Sequence, residues 1–469
     1  MKNKILLSLI AILLACSMVS CYYTVQLPTK PTSSNSTPSM TQPSDIESPE
    51  TPENPPVDYL DTFYLIDVLF KNFSIFDVDQ EAAMLAAIRA YVGATGDKYA
   101  MYYTPEELAA MEAENNGDLY GIGVQVVFDY DGYFMEIVLI MPDSPAEECL
   151  EVGDKVTHVK VDNEWVALTD LVAEYKVKAK DIYPTYTDEE INNVACYEAF
   201  QYAIAQIKGV EGSYTEVKVD RNGAVQEMKI QRAKVKTVSV TSKVSIRDPK
   251  VGIVYISQFD LTTPVQFKDA MDSLISRGCN KFVFDVRNNP GGDLASVVAV
   301  LSTLLQKNDV ILSTKDHKGT VVVTECQEVV YSPDSNYSTC NVTPEDIGKY
   351  RGYDMVVLAN ENSASAAELF TSCLRDHELA DIVGINTYGK GSVQSIISLN
   401  YYGESYYGAL KLTTKLYFPP CGEGYDGGIG ISPHYPVQLE GIAAETNFYK
   451  LTEEIDNQLQ KAVSVLIDN

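Results

Sequence analysis

Two short segments in the last third of the chain contain residue types that could perform chemistry. Residues 360–368 read Asn-Glu-Asn-Ser-Ala-Ser-Ala-Ala-Glu, residues 389–391 read Gly-Lys-Gly, and each segment follows an apolar, strand-like run. A serine at a strand-to-helix turn can project its hydroxyl, and the N–H groups at the helix start can face a developing negative charge. A lysine acts as a general base when burial or a cationic neighbour makes it neutral. The segments therefore indicate a serine nucleophile paired with a lysine base.

Each segment also has other interpretations. Ser363 or Asn362 could simply cap a helix, and a lysine between glycines could occupy a solvated tight turn. Residues 384–391 also come close to a nucleotide-binding P-loop. However, Gly391 stands where a P-loop has Ser or Thr, and residues 392–399 have the pattern of a strand where a P-loop continues into a helix. These two departures disfavour nucleotide binding.

Together the two segments resemble the active-site motifs of the C-terminal processing peptidases, also called tail-specific proteases. In that family the second serine of a Ser-Ala-Ser-Ala-(Ala/Ser)-Glu turn is the nucleophile, the lysine of a downstream Gly-Lys-Gly is the base, and a following glutamine assists the lysine. The resemblance implies these three roles for Ser365, Lys390 and Gln394. It leaves Ser363 as a helix cap.

A third motif lies upstream of these two segments. Residues 285–292 read Asp-Val-Arg-Asn-Asn-Pro-Gly-Gly and follow a strand-like run. Two glycines in such a place let the backbone approach a ligand closely, although an ordinary turn would have the same sequence. In the resembled family this motif supplies an N–H group to the oxyanion hole. The resemblance therefore implies that role for Gly291 or Gly292, alongside the N–H group of Ala366.

The segments flanking these motifs alternate between β-rich and helical patterns from about residue 235 onward. Residues 252–256 and 282–286 have strand patterns, and apolar residues between 267 and 275 line one face of a helix. This βαβ rhythm predicts an α/β fold with mostly parallel strand pairing. The resemblance implies that residues 235–469 form a crotonase/ClpP-like layered catalytic domain of a serine peptidase.

Residues 118–234 have a β-rich pattern that resembles a PDZ domain, with a short helix predicted to begin at Ser144-Pro145-Ala146. Residues near 168–195 are predicted to be an insertion into this domain. In PDZ domains a glycine-containing loop offers N–H groups to the C-terminal carboxylate of a peptide, which adds to the sheet as a strand. An ordinary β-rich domain with the same turns is the alternative. The substrate-binding residues implied by the resemblance are Gly121, Ile122, Gly123 and Val124.

The N-terminal segments predict export and tethering. Residues 1–15 combine a basic start with an apolar run too short for a comfortable transmembrane span, which is typical of an export signal. We expect a lipoprotein signal peptide over residues 1–21 with lipidation at Cys21; Cys16 and a simple secretory peptide are the alternatives. Residues 22–57 are rich in Pro, Ser and Thr and predict a disordered linker. Residues 58–117 have helical periodicity, with a helix start at Thr104-Pro105.

Composition limits the partners. The net charge is −29, which argues against nucleic acid and against electrostatic attachment to an anionic membrane surface.

The chain has nine cysteines, of which Cys326 and Cys340 are close enough in sequence for a predicted disulfide. No Cys/His spacing suggests zinc, so we expect no metal and no cofactor. His434 has no motif partner and is interpreted as structural or exposed.

The sequence therefore predicts a lipid-anchored serine endopeptidase of the bacterial cell envelope, on the extracytoplasmic side of the membrane. It is expected to cut exported proteins near their C-termini, after the PDZ-like domain captures protein or peptide substrates with free C-termini. The alternative is a non-catalytic peptide-binding lipoprotein that keeps the peptidase fold. The physiological substrate and the oligomeric state stay open.

Overall fold

The computed structural model describes residues 21–22, 59–401 and 405–468. The predicted signal peptide, apart from Cys21, and most of the predicted linker lie outside these residues. None of the helices within the described ranges is long and apolar enough to cross a bilayer. The first element is the two-residue strand β1 (Cys21–Tyr22).

The segment predicted to be helical contains three helices and one short strand. The third helix begins as the sequence predicts, because Thr104 is its N-cap, Pro105 occupies its first turn and Glu107 completes a capping box with Thr104. The second helix is capped by Asp79, whose side chain accepts a hydrogen bond from the N–H group of Ala82. The elements are α1 (Tyr59–Phe73), α2 (Gln80–Gly93), β2 (Met101–Tyr103) and α3 (Pro105–Asn115).

A second unit is an antiparallel sheet with its own apolar core. Its strand order is β4-β5-β6-β8-β9, with β7 paired to β6, and a separate two-stranded sheet of β3 and β10 joins its ends. The strands are β3 (Asp118–Gly121), β4 (Val124–Asp129), β5 (Phe134–Ile140), β6 (Lys155–Val161), β7 (Glu164–Ala167), β8 (Tyr214–Arg221), β9 (Ala224–Gln231) and β10 (Ala233–Lys236).

The residues predicted to be an insertion form helices that complete the core of this unit. Helices α4 (Leu168–Ile182) and α5 (Asp188–Ile207) contribute Leu171, Val172 and Ala199 to the same buried cluster as strand residues. The predicted short helix at Ser144-Pro145-Ala146 is wrong, because residues 145–149 form only turns. The segment closes one helical turn, with the N–H group of Leu150 bonded to the carbonyl of Ala146, before it enters the next strand.

The third unit is built on a six-stranded sheet that confirms the predicted parallel pairing. Its order is β11-β12-β13-β16-β17-β20, in which β11 is antiparallel to β12 and all other neighbours are parallel. Its strands are β11 (Val240–Val244), β12 (Val251–Ile256), β13 (Lys281–Asp285), β16 (Asp354–Ala359), β17 (Ala380–Gly384) and β20 (Tyr435–Pro436).

Helices cover both faces of this sheet, which explains why its strands are continuous apolar runs. On β13, Phe282 and Phe284 lie in the large core cluster, whereas Val283 between them lies in a second cluster on the opposite face. Helices α6 (Thr263–Ser276), α7 (Leu294–Ser302) and α8 (Ala366–Asp376) contribute to the first cluster. The second cluster contains α10 (Asn457–Asp468), which follows the short helix α9 (Ile442–Glu445).

A second sheet of the third unit brings the predicted lysine segment beside the N-terminal helices. Its order is β1-β18-β19-β14-β15, and β2 pairs with β19. Residues after the Gly-Lys-Gly segment form strand β18, as predicted, so the helix that a P-loop needs is absent at residues 392–401. The strands are β14 (Val310–Asp316), β15 (Val321–Glu325), β18 (Ser392–Tyr401) and β19 (Ser405–Phe418).

Cys326, Cys340 and His434 lie outside the main motifs. The predicted disulfide is wrong: Cys326 and Cys340 are free and lie in separate apolar clusters, since sequence proximity does not fix where their side chains point. His434 is partly exposed, and its Nδ1 lies 3.0 Å from a carboxylate oxygen of Asp381 and accepts a hydrogen bond from the N–H group of Ile382. These contacts fit the structural interpretation of His434.

Candidate active site

Three turns meet at the carboxyl edge of the parallel sheet, where the strands β13, β16 and β17 end. The turns after β13 and β16 are joined by side-chain and backbone hydrogen bonds: Asn288 and Asn360 bond each other at 2.9 Å in both directions. The N–H group of Ala364 donates to the carbonyl of Asn289 at 2.9 Å. Because parallel strands end at a common edge, motifs that are about 70 residues apart in sequence lie side by side here.

The predicted nucleophile, Ser365, is the N-cap residue of α8. Its backbone has φ 55° and ψ −115°, a conformation that side-chain-bearing residues rarely adopt and that tends to occur at functional sites. The residue is only 1% exposed, and its Oγ forms no hydrogen bond of normal geometry with the residues that the structure describes. The Ser365 hydroxyl is therefore available for chemistry at the start of a helix.

Ser363 has a different role from the predicted helix cap. Its hydroxyl donates to the carbonyl of Val286 at 2.7 Å and accepts a hydrogen bond from the N–H group of Asn360 at 2.9 Å. Ser363 lies two residues before the N-cap and its side chain points back to the neighbouring turn. It therefore ties the turn after β16 to the turn after β13, and the helix-cap prediction for Ser363 is wrong.

The predicted base, Lys390, is 1% exposed although it carries an amine. Its Nζ lies 4.6 Å from the centre of the Tyr99 ring, and its carbonyl accepts a hydrogen bond from the Tyr417 hydroxyl at 2.7 Å. The face of an aromatic ring attracts a cation, so the contact with Tyr99 stabilises the ammonium form. Since Ser365 Oγ has no regular hydrogen bond within the described chain, the Ser365–Lys390 hydrogen bond is not formed in this structure.

Tyr417 lies between the two predicted catalytic residues. Burial raises its pKa well above the ordinary value and the carboxylate of Glu368 raises it further, while the hydroxyls of Tyr425 and Ser365 act in the opposite direction. The Tyr417 hydroxyl is thus protonated at any working pH and close to Ser365. Through its bond to the Lys390 carbonyl, the Tyr417 hydroxyl connects the turn after β16, which carries Ser365 (the nucleophile turn), to the turn after β17, which carries Lys390 (the base turn).

Gln394 lies on β18, four residues after Lys390, and is 1% exposed. Its Nε2 donates to the hydroxyls of Ser392 and Thr413, each at 3.1 Å. These bonds fix the amide, and its buried Oε1 has no hydrogen-bond partner among the described residues. The oxygen can therefore accept a hydrogen bond from an ammonium group, as the predicted role requires.

A residue that the sequence reasoning left without a role, Glu368, connects both motifs. It is fully buried, and its carboxylate accepts hydrogen bonds from four groups. Burial raises the pKa of Glu368 to about 7, and its hydrogen bonds lower the pKa and so limit the rise. The sequence signal was its place three residues after Ser365, where a glutamate caps a helix start. The donors are the N–H groups of Ser365, Gly389 and Lys390 and the hydroxyl of Thr387, at 2.9, 2.6, 2.8 and 2.6 Å.

The turn predicted to supply oxyanion donors lies against the nucleophile. A Cβ on Gly291 would lie 2.8 Å from Ser365 Cβ and 2.9 Å from the nitrogen of Ala366, and the φ of Gly291 is +104°. The N–H group of Gly291 donates to Asn289 Oδ1 at 2.8 Å. Gly292 is the neighbouring donor of the same turn, and Ala366 begins α8, where N–H groups have no acceptor within the helix. Gly291 therefore lies beside Ser365 and Ala366, and its own N–H group is bonded to Asn289 in this structure.

The predicted peptide-binding loop, residues 121–124, lies in the second unit, between β3 and β4. Ile122 is 2% exposed and its carbonyl accepts from the N–H group of Ala146, while the carbonyl of Gly123 accepts from the N–H group of Met141, both at 2.9 Å. The loop is thus anchored through its carbonyls. Strand β4, which follows it, is at the edge of its sheet.

Within residues 59–401 and 405–468, no three His, Cys, Asp or Glu side chains are arranged to hold a metal ion. The described site consists of a serine hydroxyl, an amine, an amide and backbone N–H groups. These groups can perform acyl transfer.

Comparison with known proteins places these motifs in a family. Residues 250–437 match the model of peptidase family S41. The "Probable CtpA-like serine protease" of Staphylococcus aureus strain N315 is 27% identical over 385 residues, which cover 81% of this chain and 66% of that protein. The protein of the same name from Staphylococcus saprophyticus is 24% identical over 319 residues, covering 68% of this chain and 54% of the relative. The chain thus spans between about half and just under two thirds of the length of these relatives.

Among solved structures, the photosystem II D1 C-terminal processing protease is similar to this chain at 21% identity and a TM-score of 0.43, over 82% of this chain and 89% of that one. The family match covers all three turns of the site, from β13 to the segment after β17. Over residues 250–437, which carry all three motifs, the chain is similar to peptidase family S41.

Proposed function

We propose that this protein is a serine endopeptidase that cleaves exported proteins near their C-termini. The observation that carries the proposal is the arrangement of Ser365: a buried, strained serine in a capping-box position, whose Oγ has no hydrogen bond of normal geometry among the described residues, at a helix start that Glu368 ties to the turn of Lys390. A serine with a structural role would use its hydroxyl in a cap or a side-chain bond, as Ser363 does.

The proposed reaction is acyl transfer through a Ser/Lys dyad. Ser365 Oγ attacks the carbonyl carbon of the scissile bond while its proton passes to the neutral amine of Lys390. The negative charge on the carbonyl oxygen would be held by the N–H group of Ala366 and by an N–H group of the Gly291–Gly292 turn, which for Gly291 requires release from Asn289 Oδ1. Collapse of this intermediate breaks the C–N bond, and Lys390 gives the proton to the leaving amine nitrogen. Water then attacks the acyl-serine, with Lys390 taking and returning a proton.

The dyad assembles in this scheme by a movement of the Lys390 side chain. In the described structure Nζ lies against the Tyr99 ring, and Ser365 Oγ has no regular hydrogen bond. Gln394 Oε1 is a fixed acceptor that can orient Nζ once the amine turns away from the ring. We therefore assign the observed arrangement to a resting state, in which the amine of Lys390 lies over the Tyr99 ring.

The second unit supplies the proposed selectivity for C-terminal tails. Its antiparallel sheet with an open edge at β4 supports a PDZ-like domain, because a peptide can add to an edge strand through main-chain hydrogen bonds. The N–H groups of residues 121–124 would receive the terminal carboxylate. The two sheets of the third unit support the crotonase/ClpP-like layering of the catalytic domain over residues 235–469, downstream of a unit at 118–234.

Envelope localisation is the remaining part of the proposal. Lipidation at Cys21 after removal of residues 1–20 would anchor the chain on the extracytoplasmic side of the membrane, with residues 22–57 as a tether. A palmitate-labelling experiment on the wild type and on Cys21→Ser tests it: label retained by the variant would move the anchor to Cys16, and a wild type without label would contradict lipidation.

The experiment that tests the enzyme compares the wild type with Ser365→Ala on an unstructured protein that ends in an apolar tail. Ser464→Ala is a matched control, since its hydroxyl bonds only a carbonyl of its own helix at 2.9 Å. The expected result is cleavage by the wild type and the control and none by Ser365→Ala. Equal cleavage by all three excludes Ser365 as nucleophile, and binding of the tail without cleavage by any form favours the non-catalytic peptide-binding lipoprotein.

A substrate pair separates tail capture from chemistry. The same protein is offered with a free C-terminal carboxylate and with a C-terminal amide, which the N–H groups of residues 121–124 would bind poorly. The expected result is a higher KM for the amide than for the free acid. Ser365 should react with a fluorophosphonate at the same rate in the presence of either substrate. Equal KM values for the two substrates would contradict capture through the terminal carboxylate.

A further inference from the structure

One oxygen atom contacts the backbone of both predicted catalytic residues. Glu368 Oε2 accepts from the N–H group of Ser365 at 2.9 Å and from the N–H group of Lys390 at 2.8 Å. Its partner Oε1 accepts from the Thr387 hydroxyl and from the N–H group of Gly389, both at 2.6 Å. The nucleophile turn and the base turn are therefore fixed to the same carboxylate.

We propose that Glu368 is a positioning residue that sets the relative placement of Ser365 and Lys390, so that both members of the dyad depend on one side chain. This inference rests on the function proposed above. It goes beyond that function because Glu368 contacts neither the substrate nor the reacting atoms in the proposed reaction and acts only through the two turns.

The chemistry of the four contacts explains why this position holds a glutamate. All four partners are donors, and the ionised carboxylate, which predominates above its pKa of about 7, has only acceptor sites, enough for four hydrogen bonds. A glutamine of the same shape would point its NH2 group at two of these donors. An aspartate would be one methylene shorter and could not reach from α8 to the turn after β17 with both oxygens.

The location of Glu368 makes the contacts rigid. It lies in the first turn of α8, where a negative charge is favourable, and it is completely buried. The rings of Tyr417 and Tyr425 face it closely enough for its charge to raise the pKa of both hydroxyls. A buried carboxylate with every acceptor site used can move only if several hydrogen bonds break together.

Other contacts also join the two turns. The N–H group of Tyr388 donates to the carbonyl of Ser363 at 3.0 Å, and the Tyr417 hydroxyl joins the carbonyl of Lys390 to the neighbourhood of Ser365. These contacts keep the turns adjacent when Glu368 is altered. Loss of the carboxylate is therefore expected to loosen the placement of the dyad without separating the turns.

The test compares the full-length wild type, Glu368→Gln and Glu453→Gln on the tailed unstructured protein. Glu453 is a matched control because it is also a buried glutamate, 3% exposed, that accepts from the Ser245 hydroxyl and the N–H group of Ile246. A misplacement of about 1 Å costs about 100-fold in rate. We expect that loss in the kcat of Glu368→Gln, with KM within about twofold of wild type, as capture uses another domain.

A purely structural role would give a different result. If Glu368 only stabilised the fold, the loss of activity would match the loss of folded protein seen in the urea midpoint, and the remaining folded molecules would label with fluorophosphonate at the wild-type rate. That outcome, or an unchanged kcat in folded Glu368→Gln, overturns the proposal. The expected result is a slowed labelling rate in protein that remains folded.

A milder pair of variants keeps the proposal falsifiable if Glu368→Gln does not fold. Thr387→Val removes one donor to Glu368 Oε1, and Thr387→Ser keeps it. We expect the kcat of Thr387→Ser to be close to that of the wild type and the kcat of Thr387→Val to fall about tenfold. Equal kcat values for the two variants would overturn the inference. Failure of the proposed function is recognised separately, because then the wild type and Ser365→Ala would be equally active or inactive.

Discussion

The amine of Lys390 lies 4.6 Å from the centre of the Tyr99 ring, although the two residues belong to different parts of the chain. Tyr99 follows Asp97, whose carboxylate accepts from the N–H group and the hydroxyl of Thr413 at 2.7 and 3.0 Å. Thr413 in turn accepts from the amide of Gln394. A turn between the N-terminal helices and β2 thus contacts both the predicted base and the residue predicted to orient it.

We predict that Tyr99→Leu moves to lower pH the ascending limb of kcat/KM, on which activity rises as Lys390 loses its proton. The ring stabilises the ammonium form by about 0.5–1 kcal/mol or more, and leucine keeps the site covered without offering a ring face. The neutral amine is then populated at a pH lower by about 0.4 to 0.7 unit. The measurement is kcat/KM against pH, with Tyr99→Phe as the control that keeps the ring and should match the wild type. A limb that stays in place in Tyr99→Leu would show that the ring does not hold the cation.

Much of this site could be predicted because its motifs are local. Ser365 and Lys390 each lie just after an apolar strand, and a strand buried on both faces is visible as an uninterrupted apolar run. The parallel pairing then follows from the alternation of strands and helices, and it brings the ends of these strands to one edge. The sequence therefore sufficed for the parallel pairing of the strands that position Ser365 and Lys390.

The parts that were missed depend on where side chains point across long sequence distances. Asp97 and Thr413 are 316 residues apart, and no local pattern indicates that they bond. Ser363 has the spacing of a helix cap, but its hydroxyl is drawn to a carbonyl of the neighbouring strand end. Glu368 was visible in the motif, yet its four donors come from two separate turns. Local spacing specifies elements, whereas these contacts are decided by how the elements pack.

The burial of Glu368 predicts a pH dependence of stability. Its pKa rises from 4.5 to about 7 on folding, so the folded state binds this proton more tightly than the unfolded state does. Its contribution to the free energy of unfolding is therefore greatest below pH 4.5 and falls by about 3 kcal/mol as the pH rises through 7. The variant Glu368→Gln lacks this pH-dependent contribution to stability. Urea unfolding of both proteins at pH 5 and pH 8 should show a steeper loss of stability in the wild type, and equal losses would contradict the raised pKa.

The turn beside the nucleophile predicts a large effect of Gly291→Ala. An added Cβ would lie 2.8 Å from Ser365 Cβ and from the carbonyl oxygen of Ala364, at a φ of +104°. The turn must shift, so we expect kcat to fall about 100-fold. Gly319→Ala is the matched control, since its φ is +81° but no atom lies within 4 Å of the added Cβ. It should lose about 1 kcal/mol of stability and keep its kcat. Similar kcat values in the two variants would show that the turn does not need to approach Ser365 closely.

A buried ion cluster beneath the oxyanion turn predicts a large loss of stability in Arg287→Met. Arg287 is 2% exposed and bonds the carboxylates of Asp285 and Asp456, the latter just before α10. Removing the cation leaves two buried carboxylates without a partner, which costs about 3–5 kcal/mol. Arg351→Met is the control, because Arg351 and Asp309 are both partly exposed and such a pair contributes at most about 1 kcal/mol. Urea unfolding of both variants measures the difference. Equal losses would show that the cluster does not bind α10 to the turn that carries Gly291.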